Sequence, residues 1–294
     1  MSSFYRNLIS QRVSAISLYM MYGGTNWGAL AAPVTATSYD YSSPISENRI
    51  IGSKFYETKN LAMFTRVADD LTVTERLGNS TLYTTNSAIM ASELRNPNTK
   101  AAFYVTIHSY SPSSTRESFQ LHVSTSIGNL TIPQRGGSIV LNGHQSKILV
   151  TDFAIGKNTL TYSTAEVLTY ALIDGAPVVV LWTGTGESVE FHVKAARNGS
   201  VVHNGSSSNA TLFNDGHGIV ASIPQVKGLN VLLFDNRVKV IVADKASAYL
   251  FWAPNLSNDP FAPVDQSGWL SCGGEDLMQT NAFYSTRSRT LSRA

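Results

Sequence analysis

The carboxylates and histidines of this chain are its residues best able to do chemistry, and their spacing argues against a catalytic pair or a metal site. Glu187 and Glu190 sit three apart in a segment with strand character. Side-chain alternation sends them to opposite faces and predicts two solvated carboxylates rather than an acid/base couple. His108, His122, His144, His192, His203 and His217 are scattered, with no His-X-X-X-His or glutamate-paired spacing, so neither a metal nor a cofactor is expected. Gly184-Thr185-Gly186 before Glu187 has the glycines of a phosphate loop but no Lys-Ser/Thr after it, which makes a hairpin turn the better reading. Cys272 is the only cysteine, so an intrachain disulfide and a cysteine-based zinc or redox site are both ruled out.

The composition sets the frame for these residues. With 294 residues and 43% hydrophobic content, one large or two ordinary domains with a sizeable core are expected. The net charge of +2 is spread along the chain without a basic block, which gives no electrostatic reason to expect nucleic acid or an anionic membrane surface as partner. The longest apolar run, Ala15–Tyr22 apart from Ser17, is far shorter than the roughly 20 residues of a bilayer-spanning helix. Residues 1–7 lack the basic and apolar regions of a secretion signal. Asn-X-Ser/Thr sequons nevertheless occur at Asn79, Asn129, Asn198, Asn204, Asn209 and Asn255, and would suit a glycosylated extracellular protein.

Two grammars follow one another along the chain. Phe4–Gln11 reads as the tail of a helix. Ala15–Tyr22 reads as a strand apolar on both faces, of the kind buried in a parallel sheet. Gly23-Gly24 ends it, the loop Thr25–Glu47 is long enough to be functional, and Ser53–Ala68 reads as an amphipathic helix with Phe55, Leu61, Phe64 and Ala68 inward and Lys54, Glu57, Lys59 and Arg66 polar. Helix, buried strand, loop, helix is the order that closes a barrel. From Leu71 onward, strand signals recur about every ten residues, among them Ala101–His108, Lys147–Phe153, Pro177–Trp182, Val189–Val193 and Ala248–Trp252, with turns at Asn142-Gly143, Gly156-Lys157-Asn158 and Asp174-Gly175. The reading is therefore mainly β: residues 1–70 a partial (β/α)8-barrel remnant with its last strand and helix, residues 71–254 an antiparallel all-β domain, and residues 255–294 a disordered tail.

The segment Leu18-Tyr19-Met20-Met21-Tyr22-Gly23-Gly24-Thr25-Asn26-Trp27-Gly28, followed by Thr37-Ser38-Tyr39-Asp40-Tyr41 and Pro44-Ile45-Ser46-Glu47, resembles the β-galactosidases of glycoside hydrolase family 35. Further on, Gly128–Pro133, Gly136-Gly137-Ser138, Ser146–Asp152, Tyr162–Val167 and Ser247–Pro254 resemble the second, all-β domain of the secreted fungal multidomain members. The resemblance covers most of Phe4–Pro254. It implies an extracellular enzyme acting on terminal β-D-galactosides with retention, a reaction that needs two carboxyl groups about 5–5.5 Å apart.

In that family both glutamates lie on earlier barrel strands, ahead of the Gly-Gly-Thr-Asn turn. No catalytic residue is therefore expected in this chain, and a barrel of roughly 250 residues cannot close from one strand and about two helices. Tyr19 and Tyr41 match two family tyrosines that line the galactose pocket, and are the substrate-binding candidates. Asn26, Thr25 and Trp27 are expected to fix the turn, and Asp40 and Glu47 to hold the loop. Two functions stay open: part of a retaining β-galactosidase, inactive alone, or a non-catalytic carbohydrate-binding or structural β module.

Overall fold

The computed structural model describes residues 2–32, 36–173, 175–205 and 209–253, together with the strand residues 271–272 and 275–276. Helix α1 (Ser2–Ser10) opens the chain; the short strands β1 (Gly24–Thr25) and β2 (Ser38–Tyr39) follow, then helix α2 (Ser53–Thr65). The β region begins with β3 (Glu75–Ser80), β4 (Ile89–Arg95), β5 (Ala102–His108), β6 (Arg116–Phe119), β7 (Leu121–Thr125), β8 (Gly128–Ile132), β9 (Ile139–Asn142) and β10 (Lys147–Ile155). It continues through β11 (Asn158–Ser163), β12 (Glu166–Ile173), β13 (Ala176–Thr183), β14 (Val189–Lys194), β15 (Gly199–Asn204), β16 (Thr211–Asn214), β17 (Gly218–Ile223), β18 (Leu229–Phe234) and β19 (Val238–Asp244). Helix α3 (Lys245–Ala248) and β20 (Phe251–Trp252) follow, and β21 (Ser271–Cys272) and β22 (Glu275–Asp276) pair beside β20.

Two large sheets carry the fold. One has the order β16-β17-β14-β11-β10-β5-β4-β3, the other β12-β13-β19-β18-β15. Alternation along the strands sorts their side chains into layers. On β5, Phe103 and Val105 enter the core between the sheets, while Ala102 and Tyr104 join a second cluster on the outer face, where Phe119, Leu121, Val123, Ile132, Ile139 and Leu141 of the β6–β9 and β7–β8 ribbons cover it. On β13, Val179 and Leu181 face the first core, and Val178, Val180 and Trp182 face a third cluster with Met63, Ala248 and Phe251. Within the five-stranded sheet β13 is thus buried on both faces, which explains why Val178–Trp182 is continuously apolar.

The antiparallel expectation holds with one exception: β13 pairs with β19 in parallel, in register from Val178↔Lys239 to Thr183↔Asp244. Ala248–Trp252 is not one strand. Asp244 caps α3 by accepting from the Ser247 N–H at 2.9 Å, and the strand begins only at Phe251. The expected strand Ala15–Tyr22 forms no ladder. Tyr22 makes an isolated parallel bridge to Ile45, and Tyr19 and Tyr22 are 72% and 60% exposed. A parallel strand needs at least one neighbour that continues the hydrogen-bonded ladder, and among the described residues this segment has only that single bridge. The Asp174 half of the Asp174-Gly175 turn, the sequon at Asn255 and nearly all of the tail lie outside the described residues.

The two N-terminal helices belong physically to the β region. Ile9 from α1 and Leu61 and Phe64 from α2 are buried in the inter-sheet core, each such side chain worth roughly 1.5–3 kcal/mol of burial. Arg6, 2% exposed, donates from Nε to Glu166 Oε1 at 2.8 Å and from Nη2 to Oε2 at 3.1 Å, while the Ile148 N–H donates to Oε1 at 3.0 Å. Lys59, expected on the polar face of its helix, is instead buried. It donates to the Tyr249 and Phe251 carbonyls at 2.6 and 2.8 Å, with Nζ 4.5 Å from the Trp252 ring centroid. The reason is that α2 has neighbours on more than one side, so its polar stripe meets backbone carbonyls rather than water.

Removing one partner of a buried ion pair leaves an uncompensated charge and costs about 3–5 kcal/mol. Arg6→Met will accordingly lower the unfolding free energy by about that amount in urea denaturation, whereas the exposed Arg12→Met will change it by about 0.5 kcal/mol or less. Equal stability of the two variants would show that α1 is only loosely attached.

Candidate functional site

The segment after α1 delivers three tyrosines to one face. β1 pairs antiparallel with β2 through Gly24↔Tyr39 and Thr25↔Ser38, which carries Tyr39 and Tyr41 beside Tyr19. The Tyr19 and Tyr41 rings meet edge to face at 5.6 Å between centroids, Tyr39 and Tyr41 lie 5.5 Å apart, and the Tyr19 and Tyr39 hydroxyls are hydrogen-bonded at 2.8 Å. Tyr19 and Tyr41 are 72% and 67% exposed. The hydrogen bond to Tyr19 pushes the Tyr39 phenol up from its ordinary value. The cluster can donate and accept hydrogen bonds and offer ring edges and faces, which suits a hydroxyl-bearing ligand.

The loop beneath is held by its own polar groups. The Glu47 N–H donates to Asp40, and the Thr25 hydroxyl donates to the Glu47 carboxylate. Hydrogen bonds from Ser38 and Thr25 hold the Glu47 carboxyl below the ordinary glutamate value. Asn26 ties the turn through its amide to Ala36 O at 2.7 Å, and Arg49 donates to Gly23 O at 2.8 Å. Trp27, 75% exposed, heads the short helical turn Gly28–Leu30. Gly23 is required by close approach: a Cβ there would stand 2.0 Å from Asp40 Oδ1 and 2.6 Å from the Glu47 nitrogen.

Glu187 and Glu190 are not solvated, contrary to the reading from alternation. Glu187 accepts from Lys147 Nζ at 2.5 Å, from the Thr183 hydroxyl at 2.5 Å and from the Gly184 N–H at 3.2 Å, within the expected turn. Burial pushes its pKa up, but the Lys147 ammonium and the added hydrogen bonds outweigh this and hold it below the ordinary value. Glu190, 1% exposed, accepts from the Gln134 and Arg135 N–H groups at 2.6 and 2.7 Å and from the Tyr162 hydroxyl at 2.9 Å. The two glutamates serve separate partners, but not through alternation: Glu187 lies in the turn before β14, and only Glu190 is on the strand.

His192 is fully buried, stacked on Tyr162, with Nδ1 2.6 Å from the Thr161 hydroxyl. Among the described residues, no three His, Cys, Asp or Glu side chains form a group able to hold a metal. No described helix is long and apolar enough to cross a membrane. Among the sequons, Asn79, Asn129, Asn198 and Asn209 are exposed, whereas the half-buried Asn204 donates its side-chain amide to Asn209 Oδ1 at 2.9 Å. Tyr39 was not singled out from the sequence, although its two-residue spacing from Tyr41 was the signal. Arg6 and Lys59 carried no signal at all.

A two-layer β region with family-typical strands, preceded by a glycine-turn loop presenting tyrosines, defines a class. The family model for β-galactosidase, domain 2 matches residues 71–251, and that for glycosyl hydrolases family 35 matches residues 1–65. The chain belongs to the family 35 β-galactosidases, and most of it is the second domain of that family. It is 75% identical over 264 residues to the probable beta-galactosidase B of Pyrenophora tritici-repentis, covering 90% of this chain and 26% of that protein. Its identity to the probable beta-galactosidase B of Emericella nidulans is 60% over 277 residues, covering 94% and 27%, and to that of Aspergillus terreus 57% over 290 residues, covering 98% and 27%. The chain thus spans about a quarter of the length of these relatives.

The Lys147–Glu187 pair generates a pH-dependent expectation. In the parent, the depressed pKa of Glu187 contributes stability above the ordinary glutamate value and loses it as pH falls through the folded-state pKa. In Lys147→Met the carboxylate is buried without its ammonium, so at pH 7 the variant will be about 3–5 kcal/mol less stable. Protonation of Glu187 relieves that penalty, and the gap between parent and variant in denaturation midpoint will shrink toward pH 4. A gap that stays constant or widens in acid would remove Glu187 as the cause.

Proposed function

We propose that this chain supplies the galactose-facing tyrosine rim and the second domain of a retaining β-galactosidase, and that residues 1–294 alone do not hydrolyse β-galactosides. The observation that carries the reading is the convergence of Tyr19 and Tyr41, ring on ring and both open to solvent, on the loop that lies in the family 35 region. No carboxylate pair accompanies them: Asp40 and Glu47 are engaged by a backbone N–H and by Thr25. Retaining chemistry needs an acid/base and a nucleophile facing each other across the bond. The substrate of the intact enzyme is a terminal β-D-galactoside, bound without nucleic acid, cofactor or metal, and the residues 1–70 that carry the rim form the closing unit of a barrel.

Purified residues 1–294 will therefore show no hydrolysis of a chromogenic β-galactoside above background. Turnover that co-purifies with the protein through two unrelated columns would defeat the proposal.

The roles of the tyrosines are tested in an enzyme with a complete barrel. Tyr→Phe removes only the hydroxyl, and where that hydroxyl bonds the sugar or a charged group its loss costs about 1–3 kcal/mol of transition-state stabilisation. Tyr19→Phe and Tyr41→Phe will each lower kcat/KM by roughly 5- to 150-fold with unchanged melting temperature. Unchanged activity in both would sink the pocket assignment, and an equal loss in Tyr39→Phe would show that the hydroxyl pair of Tyr19 and Tyr39 acts as a unit.

An extracellular location belongs to the same reading, supported by the sequons exposed at the surface. Production through a secretory route will then add glycans at the exposed Asn79, Asn129 and Asn198, read as a mass shift reversed by glycosidase treatment; an unshifted mass would argue against that route.

A further inference from the structure

Four strands end the two large sheets: β3 and β16 in the eight-stranded one, β12 and β15 in the five-stranded one. An end strand leaves a row of backbone N–H and C=O groups unpaired, a template for a strand of another molecule. β12 is buried along most of its length and lies against α2. The other three are mostly exposed. Charge defends β3, which carries Glu75 and Arg76. β15 and β16 hold no Lys, Arg, Asp, Glu or Pro, and they expose Val201 by 39% and Phe213 by 43%. Their own defences are partial: a bulge between Val201 and His203 in β15, and a length of four residues in β16. Arg135 lies over the Phe213 ring, 3.7 Å from its centroid, which leaves β15 the barer of the two. The edges adjoin, since a Cβ at Gly199 would stand 3.1 Å from Leu212 Cδ1.

The sequons follow these edges. Asn198 precedes β15, Asn204 ends it and Asn209 stands two residues before β16, so three of them surround one double edge. Asn79 lies in β3, and Asn129 lies in β8 of the β7–β8 ribbon. Among the described strands, no sequon falls in an inner strand of either large sheet. The Asn204 amide donates to Asn209 Oδ1 at 2.9 Å, and a glycosylated Asn204 keeps one N–H with which to do so. N-glycans are bulky and solubilising, the two properties that an uncharged edge lacks.

We propose that glycans on Asn198, Asn204 and Asn209 stand in place of edge charges, and keep a second copy of this chain from adding a strand to β15 or β16. The proposal rests on the extracellular reading given above. Attachment joins the asparagine amide nitrogen to the anomeric carbon of an oligosaccharide carried on a lipid diphosphate; the amide gives up one proton and the lipid diphosphate leaves.

The test secretes residues 1–294 from a eukaryotic host, reads the occupancy of each asparagine from peptide masses, and follows molar mass by light scattering over a dilution series. The three asparagines are expected to carry glycans. Asn198→Gln/Asn204→Gln/Asn209→Gln will self-associate at a concentration at least about tenfold lower than the parent, and Val201→Lys/Thr211→Lys added to it will restore the parent's behaviour. Association through the open tyrosine loop is common to all three proteins and drops out of the comparison. Melting curves establish folding. If the Gln variant is unfolded, Ser200→Ala/Asn204→Gln/Thr211→Ala, which keeps Asn198 and Asn209, is read in its place. Equal association of the parent and the glycan-free variant, or association that the lysines do not reverse, would overturn the proposal and leave the extracellular reading intact. A secreted chain without glycans at any of its sequons would overturn both. Hydrolysis and the tyrosine effect are read separately, so neither result touches the galactosidase reading.

Discussion

The Glu166 carboxylate ties the molecule together. It opens the first strand of the five-stranded sheet, takes two N–H groups from Arg6 of α1, and takes the backbone N–H of Ile148 in the eight-stranded sheet. One buried charge thereby orients both sheets and a helix. Such a pair gains little net stability over an apolar replacement, since desolvation offsets much of the attraction. Its directional bonds, however, fix how α1 sits. Because α1 and α2 both dock on the β region, the ends of the tyrosine-bearing loop between them are anchored, and that loop can be exposed without losing its shape.

The same economy of position runs through the apolar layers. Strands of the eight-stranded sheet alternate between the inter-sheet core and the ribbon-covered outer face, and the inner strands β13 and β19 of the five-stranded sheet are buried on both sides. A sheet covered on both faces tolerates a central parallel pair, because neither β13 nor β19 has to present a polar face to water. The cost falls on polar side chains: Glu190, Lys147 and His192 are carried inward on these strands, Glu187 comes from the turn before β14, and each finds a partner within hydrogen-bond reach.

The two polar concentrations differ in kind. At the tyrosine rim, the rings are open and the carboxylates lie beneath, committed to the loop. At the α2–β13 seam Lys147, Lys245 and Arg6 are each paired with a carboxylate, whereas Lys54 donates to the Ser42 carbonyl at 2.8 Å. The first arrangement leaves hydroxyls and aromatic surface open to solvent; the second ties charged side chains to one another. In neither does a pair of free carboxylates face across a gap, as glycoside chemistry would require.

Sequence alone determined what depends on local pattern. Period-two alternation with turn residues located most strands of the β region within a residue or two, as at Ala101–His108 for β5 and Val189–Val193 for β14, and the reading of Ser53–Ala68 located α2, which ends three residues earlier at Thr65. The Gly23-Gly24 turn was equally legible, whereas Tyr19 and Tyr41 were nominated by the family resemblance rather than by periodicity. Tertiary structure decided whatever depends on what lies on the far side of an element. Lys59 and Glu187 look like surface residues because a sequence shows the polarity of a face but not its cover; covered by the strand ends and by Lys147, they become buried partners. Ala15–Tyr22 looks like a buried strand because its composition records the environment it suits, whereas a ladder also needs neighbours, and among the described residues those are missing. The contact of Arg6 with Glu166 spans 160 positions, and no local periodicity encodes a pairing at that range.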